Sequence, residues 1–161
     1  MFHIAIMKKS WGLLPKILSG EKTVESRWYK SKIAPWDRIE KRDVVYFKDS
    51  GKPVTAKAMV TKVKQYEIRD NEHALKVMSR YCEEDLGVSR IPDEVKDYIF
   101  TKKYAIFVWF NGVEKVPPFK IDKTGYGLQC AWVVTETDPS VAKRSTALLI
   151  LLFLILFFRY I

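Results

Sequence analysis

The chain has 161 residues, 48% hydrophobic and 14% aromatic, which suits one domain with a proper core and excludes an intrinsically disordered protein. Its net charge of +9 is unevenly spread: residues 1–69 hold 16 Lys and Arg against 7 Asp and Glu, whereas residues 70–161 hold 12 of each. Two isolated cysteines, Cys82 and Cys130, and two isolated histidines, His3 and His73, exclude a disulfide framework and a His/Cys metal site; no metal or cofactor is expected, and a reducing, cytoplasmic setting is the default.

Residues 3–8 read as an apolar first strand with too little alternation for an edge. Ser10 is expected to cap a helix starting at Trp11, with Pro15 in its first turn and Leu13, Leu14, Ile17 and Leu18 as its apolar residues. Gly20 can end that helix in the left-handed conformation. The chain from Gly20 to Tyr29 then reads as a turn and a strand, so alternate side chains share a face. Thr23, Glu25, Arg27 and Tyr29 are expected on one face, with Val24, Ser26 and Trp28 on the other and Lys22 beside the polar row. A core strand would not carry such a row, because a buried carboxylate or guanidinium costs several kcal/mol unless paired. The plain alternative is a surface ion pair between Glu25 and Arg27, worth about 0–1 kcal/mol.

Lys30 to Arg42 is a basic connection, followed by a strand at Val44 to Lys48 and a turn at Ser50-Gly51-Lys52-Pro53. From Val54 the chain alternates, with Val54, Ala56, Ala58 and Val60 inward. The phase slips at Lys62-Val63, which predicts a β-bulge. Ala74, Leu75, Met78, Tyr81 and Cys82 form one helical stripe, capped by Asp70 or Asn71 and ended by Gly87. Glu83-Glu84-Asp85 reads as a solvated acidic end. Pro92-Asp93-Glu94 opens a shorter helix, so helices are expected near 11–19, 71–86 and 92–101. Tyr104 to Phe110 reads as the central strand, Asn111-Gly112 as a hairpin turn and Pro117-Pro118 as a break in pairing. The loop from Phe119 to Gln129 carries Lys120, Lys123 and Tyr126, and Ala131 to Thr135 closes the sheet.

The C-terminal segment differs in kind. Ala147 to Phe158 are twelve consecutive apolar residues after the basic pair Lys143-Arg144, fewer than the ~20 of a spanning helix. Three readings compete. The segment is a membrane anchor through residues 147–161 that keeps the domain cytoplasmic, a helix packed on a partner, or an extension foreign to the domain. No N-terminal signal peptide is evident.

Gly20, Lys22, Glu25 and Arg27 spell G-x-K-x-x-E-x-R, and Asp43, Val45 and Phe47 follow as D-x-V-x-F. In these residues the chain resembles the activating signal cointegrator homology (ASCH) domain over roughly residues 1–135. The resemblance implies an α+β fold, a small PUA-like β-barrel of five or six strands with flanking helices. Residues 1–138 would form it and residues 139–161 would be the apolar extension. It also implies a nucleic-acid-binding protein, foremost an RNA-binding one, acting through a basic cleft. Lys22 and Arg27 would meet phosphate or a base edge, with Lys8, Trp11, Thr23, Glu25, Tyr29, Lys123 and Tyr126 as further ligand-binding residues. Trp11, Trp28 or Tyr29 would offer a stacking face. A one-sided basic field attracts polyanions, in keeping with this reading.

The alternative is a hydrolase acting on RNA or on a nucleotide-like small ligand. Some ASCH proteins resemble ribonucleases, in which Lys22 and Glu25 would act as an acid/base pair. The chain is also similar to the bacterial acetylcytidine amidohydrolase, whose catalytic lysine carries over to Lys22. The threonine of that enzyme falls at Glu25, so its hydroxyl nucleophile is missing here. A membrane-tethered scaffold is a third reading and rests on the tail. An enzyme needs Lys22 and Glu25 in hydrogen-bond reach at the bottom of a closed pocket, whereas a strand reader needs an open basic groove.

Overall fold

The computed structural model describes residues 1–127 and 130–141, so the apolar-tail readings lie outside the described residues. The elements run β1 (Phe2–Met7), a 3-10 turn (Lys9–Trp11), α1 (Leu13–Ser19), β2 (Val24–Tyr29), β3 (Val44–Asp49) and β4 (Val54–Glu67). They continue as α2 (Asn71–Leu86), α3 (Asp93–Ile99), β5 (Tyr104–Phe119) and β6 (Trp132–Thr135). The six strands form one curled sheet in the order β2-β5-β4-β3-β1-β6, a half-barrel with three helices against it. The pair β1/β3 is parallel and every other pair antiparallel. The fold is α+β and PUA-like, as expected.

The unbroken apolar run of β1 has a simple cause. Ala5 and Met7 belong to the main core with α1, α2 and β5, whereas Ile4 and Ile6 belong to a smaller cluster with Tyr46, Val54 and Val133 on the other face. A strand buried on both faces has no polar alternation to show. In β4 the alternation holds from Val54 to Val60, and the register shifts between Val60 and Lys62, where the bulge was expected.

Two local expectations fail. Ser10 lies inside the 3-10 turn and caps nothing; Gly12, at φ +61°, separates that turn from α1. Asn111-Gly112 is no hairpin: β5 runs through it and stays paired to β4 from Glu67/Tyr104 to Val54/Phe119. Long-range pairing overrides the local turn preference, and the chain takes up the glycine as a register shift near Met59/Asn111. Pro117 and Pro118 fall in the irregular stretch between the Ala56/Lys115 and Val54/Phe119 pairs, where the ladder needs no N–H from them.

Candidate functional site

Gly20 ends α1 with φ +82°, and the Lys22 backbone N–H returns to Lys16 O at 3.0 Å, which turns the Lys22 side chain inward under the last turn of α2. The ammonium is fully buried and donates to both the backbone oxygen and the carboxylate of Asp85. It also lies 3.2 Å from Glu25 Oε2. Burial by itself lowers the Lys22 pKa, but the charges of Asp85 and Glu25 outweigh it and hold the group above its ordinary value. The Asp85 carboxylate also accepts from the Ser26 backbone N–H at 3.2 Å and from the Ser26 hydroxyl. Ser26 Oγ in turn accepts from Trp28 Nε1 at 3.2 Å.

Arg27 projects from β2, one edge of the sheet, towards the opposite edge. Its Nη1 donates to Ile6 O of β1 at 3.0 Å, and its guanidinium lies 5.2 Å from the ring centroid of Trp132 on β6. The two edges of the half-barrel therefore meet through one side chain. Trp132 is held in turn: its indole N–H donates to His3 Nδ1 at 3.1 Å, which leaves the His3 proton on Nε2, 3.0 Å from Asp43 Oδ2. Burial lowers the His3 pKa further than its bond to Asp43 raises it, so the ring is held neutral.

Glu25 sits between the two cations, with Oε1 2.7 Å from Arg27 Nη2. These ion-pair distances are short, yet Glu25 Oε2 and Arg27 Nε and Nη2 are buried without a well-directed hydrogen bond. The contact is Coulombic attraction with its directional valences unused. The pair is not the surface ion pair of the plain alternative, because Glu25 is 4% and Arg27 11% exposed.

These groups form the floor of a cleft of about 290 Å³. Leu13, Met78 and Ile99 are among its apolar walls, and Lys8, Trp11, Glu94 and Tyr98 stand at its mouth. Glu94 Oε1 accepts from Lys8 Nζ at 2.6 Å and from Trp11 Nε1 at 3.1 Å, and Trp11 meets Tyr98 edge-on. The lining charges balance: Lys8, Lys22 and Arg27 against Glu25, Asp85 and Glu94. The expected basic character is thus absent from the cleft, because α2 and α3, from the less basic half of the chain, bring their carboxylates onto it.

Of the expected site residues, Lys22, Glu25 and Arg27 converge on the floor and Lys8 and Trp11 on the mouth. Thr23 is exposed on the turn outside the cleft, its backbone bonded to Glu84 O and by Phe110 N. Tyr29 follows Arg27 but does not line the cleft; burial, chiefly, pushes its phenol up to about 12. Lys123 and Tyr126 lie on the loop before β6, tied to Cys130 O and Val134 O, and neither lines the cleft. Trp28 is buried edge-on against Phe107, so it offers no free stacking face.

The sequence reading missed Asp85, Ser26, Glu94 and Tyr98. For Asp85 a signal existed: residues 78, 81, 82 and 85 continue one helical stripe, which places this acid of the cluster inward.

Among solved structures the chain is similar to ASCH from Zymomonas mobilis. For the unsubstituted protein the TM-score is 0.60 at 14% identity, covering 89% of this chain and 94% of that one. For two point mutants it is 0.62 and 0.64 at 15% identity, covering 89% and 90% of this chain and 96% and 95% of theirs. The fold is that of an ASCH domain. No protein-family model matches the chain, and no curated protein matches it in sequence. Within the ASCH fold, the G-x-K-x-x-E-x-R stretch of this chain forms the floor of the cleft and the seam between the two sheet edges.

Proposed function

We propose that this protein binds RNA by admitting one nucleotide into the cleft, with the base edge set against Glu25 and Arg27. One observation supports the reading: Glu25 and Arg27 are ion-paired at 2.7 Å on the floor of the cleft, yet Glu25 Oε2 and Arg27 Nε and Nη2 make no well-directed hydrogen bond within the protein. Buried polar groups are stabilised by well-directed hydrogen bonds, so a ligand that supplies them here gains selectivity. A nucleobase carries an amino donor beside a ring-nitrogen or carbonyl acceptor on one edge, the complement of this pair. A volume of about 290 Å³ suits one base or nucleoside and admits no duplex. Lys8, exposed at the mouth, would exchange its partner Glu94 for a flanking phosphate.

The hydrolase reading is less well supported. A general base needs a pKa near working pH, and Lys22 is held as an ammonium by Asp85 and Glu25. The nearest hydroxyl, that of Ser26, is committed as a donor to Asp85.

The test is Glu25→Gln, which keeps shape and removes the strong acceptor. In fluorescence anisotropy against single-stranded RNA homopolymers, the wild type should prefer one base. The variant should lose that preference by about tenfold, within the 1–3 kcal/mol of a single base contact, while its average affinity barely moves. Uniformly tighter binding with the preference intact would make Glu25 a mere repulsive charge. RNA cleavage by the wild type that Lys22→Met abolishes would instead favour the hydrolase.

A further inference from the structure

A second cluster lies outside the cleft, where the second half of β4 passes α2. Lys62 and Lys64 stand opposite Trp109 and Phe107 of β5, on the face covered by Tyr81 of α2. Lys62 Nζ lies 4.6 Å from the Trp109 ring centroid. Lys64 Nζ donates to the Tyr81 hydroxyl at 3.2 Å, and the Tyr66 and Tyr81 hydroxyls are 2.5 Å apart. Arg80, exposed and next to Tyr81 on α2, adds a further positive charge close to both hydroxyls.

Lys64 and Tyr66 thus meet at the Tyr81 phenol oxygen beside the charge of Arg80, with no carboxylate among them. Lys62, Lys64 and Arg80 form no ion pair with a carboxylate among the described residues. The acids that follow Arg80 along α2, Glu83 and Glu84, are exposed and likewise unpaired to them. The contrast with the cleft is informative, because there each cation has its carboxylate. Burial would raise the Tyr81 pKa, but the bonds from Tyr66, Lys64 and Arg80 bring it below its ordinary value, the response of an oxygen in a strongly positive surrounding. Aromatic rings under the lysines limit their freedom, so less entropy is lost when they close on an anion.

We infer that Lys62, Lys64, Arg80, Tyr66 and Tyr81 form a phosphate-binding site for the backbone of single-stranded RNA. Its phosphate chemistry stands on this cluster alone; RNA as the source rests on the function proposed above. The helix α2 carries both features, since Met78 and Asp85 line the cleft and Arg80 and Tyr81 the cluster. A strand with one base in the cleft would follow this helix and lay a phosphate on the cluster.

The experiment compares the full-length wild type, Lys64→Gln/Arg80→Gln and Glu25→Gln in two arms. The first measures affinity for a single-stranded RNA against salt. Each phosphate contact contributes about 0.7 to the slope of log affinity against log salt. The double variant should therefore lose about 0.7 from the slope, whereas Glu25→Gln keeps the wild-type slope and loses base preference. The second arm follows the Tyr66 and Tyr81 ring signals by NMR as inorganic tripolyphosphate is added. The wild type should shift and the double variant should not; Lys62→Gln, at an exposed position, should reduce the shift by itself. A tripolyphosphate shift with an unchanged RNA slope overturns RNA as the source and leaves a site for free polyphosphate. An unchanged slope with no tripolyphosphate shift in the folded wild type overturns the site altogether, whatever Glu25→Gln does to base preference.

Discussion

Asp85 decides more about the site than any residue of the motif. It is 2% exposed and gathers the Lys22 ammonium and both Ser26 donors, so it fixes where the floor of the cleft lies. Removing one partner of a buried pair costs about 3–5 kcal/mol, and without Asp85 the Lys22 ammonium would keep only Glu25, at 3.2 Å. Asp85→Ala should accordingly lower the free energy of urea unfolding by that amount. Lys22→Met in the same chain should recover a large part of it, because the stranded ammonium is then gone. If the double variant were as unstable as the single one, packing around Asp85, and not charge, would set the cost.

The helices show how elements carry such residues into place. α2 begins on Asp70, whose carboxylate accepts from His73 N at 2.7 Å, and ends on Gly87 at φ +67°. A Cβ at residue 87 would take up a left-handed conformation and meet Lys16 Nζ at 3.3 Å, the group that ties α1 to Leu86 O. Gly87→Ala should thus cost about 1–2 kcal/mol, a fall of roughly 2–4 °C in Tm per kcal/mol, measured by thermal denaturation. The periodic elements were legible in the sequence: the three helices, the alternation of β4 and its bulge all follow from spacing that local chemistry enforces. The run of β5 was not legible, because Asn111-Gly112 and Pro117-Pro118 signal turns locally while pairing to β4 is a long-range term. The site shows the same division. Lys22, Glu25 and Arg27 are close in sequence and were readable, whereas Asp85 and Trp132 arrive from α2 and β6 through the fold.

Across the whole molecule, charge and closure are arranged separately. The excess cations of residues 1–69 stay unpaired at Lys62 and Lys64, while α2 and α3 neutralise those of the cleft. Stability should depend on pH through His3. Its folded pKa is depressed, so above the ordinary value of about 6.5 both states hold it neutral and its contribution is fully present. As pH falls below that value the unfolded chain binds a proton that the folded ring resists, and stability declines. Urea unfolding across that range should show the decline, and His3→Asn should remove most of it, although it lowers stability at neutral pH. The seam has a further consequence. On the function proposed above, a nucleotide seated where Arg27 reaches from β2 to Ile6 of β1 and Trp132 of β6 would become part of the wall between the two free edges. Occupancy and fraying are then linked equilibria, and a ligand at a hundred times its Kd would oppose edge opening by about 2.7 kcal/mol. Amide hydrogen exchange should slow by up to about a hundredfold in β2 and β6 under that load, with β3 and β4 unchanged.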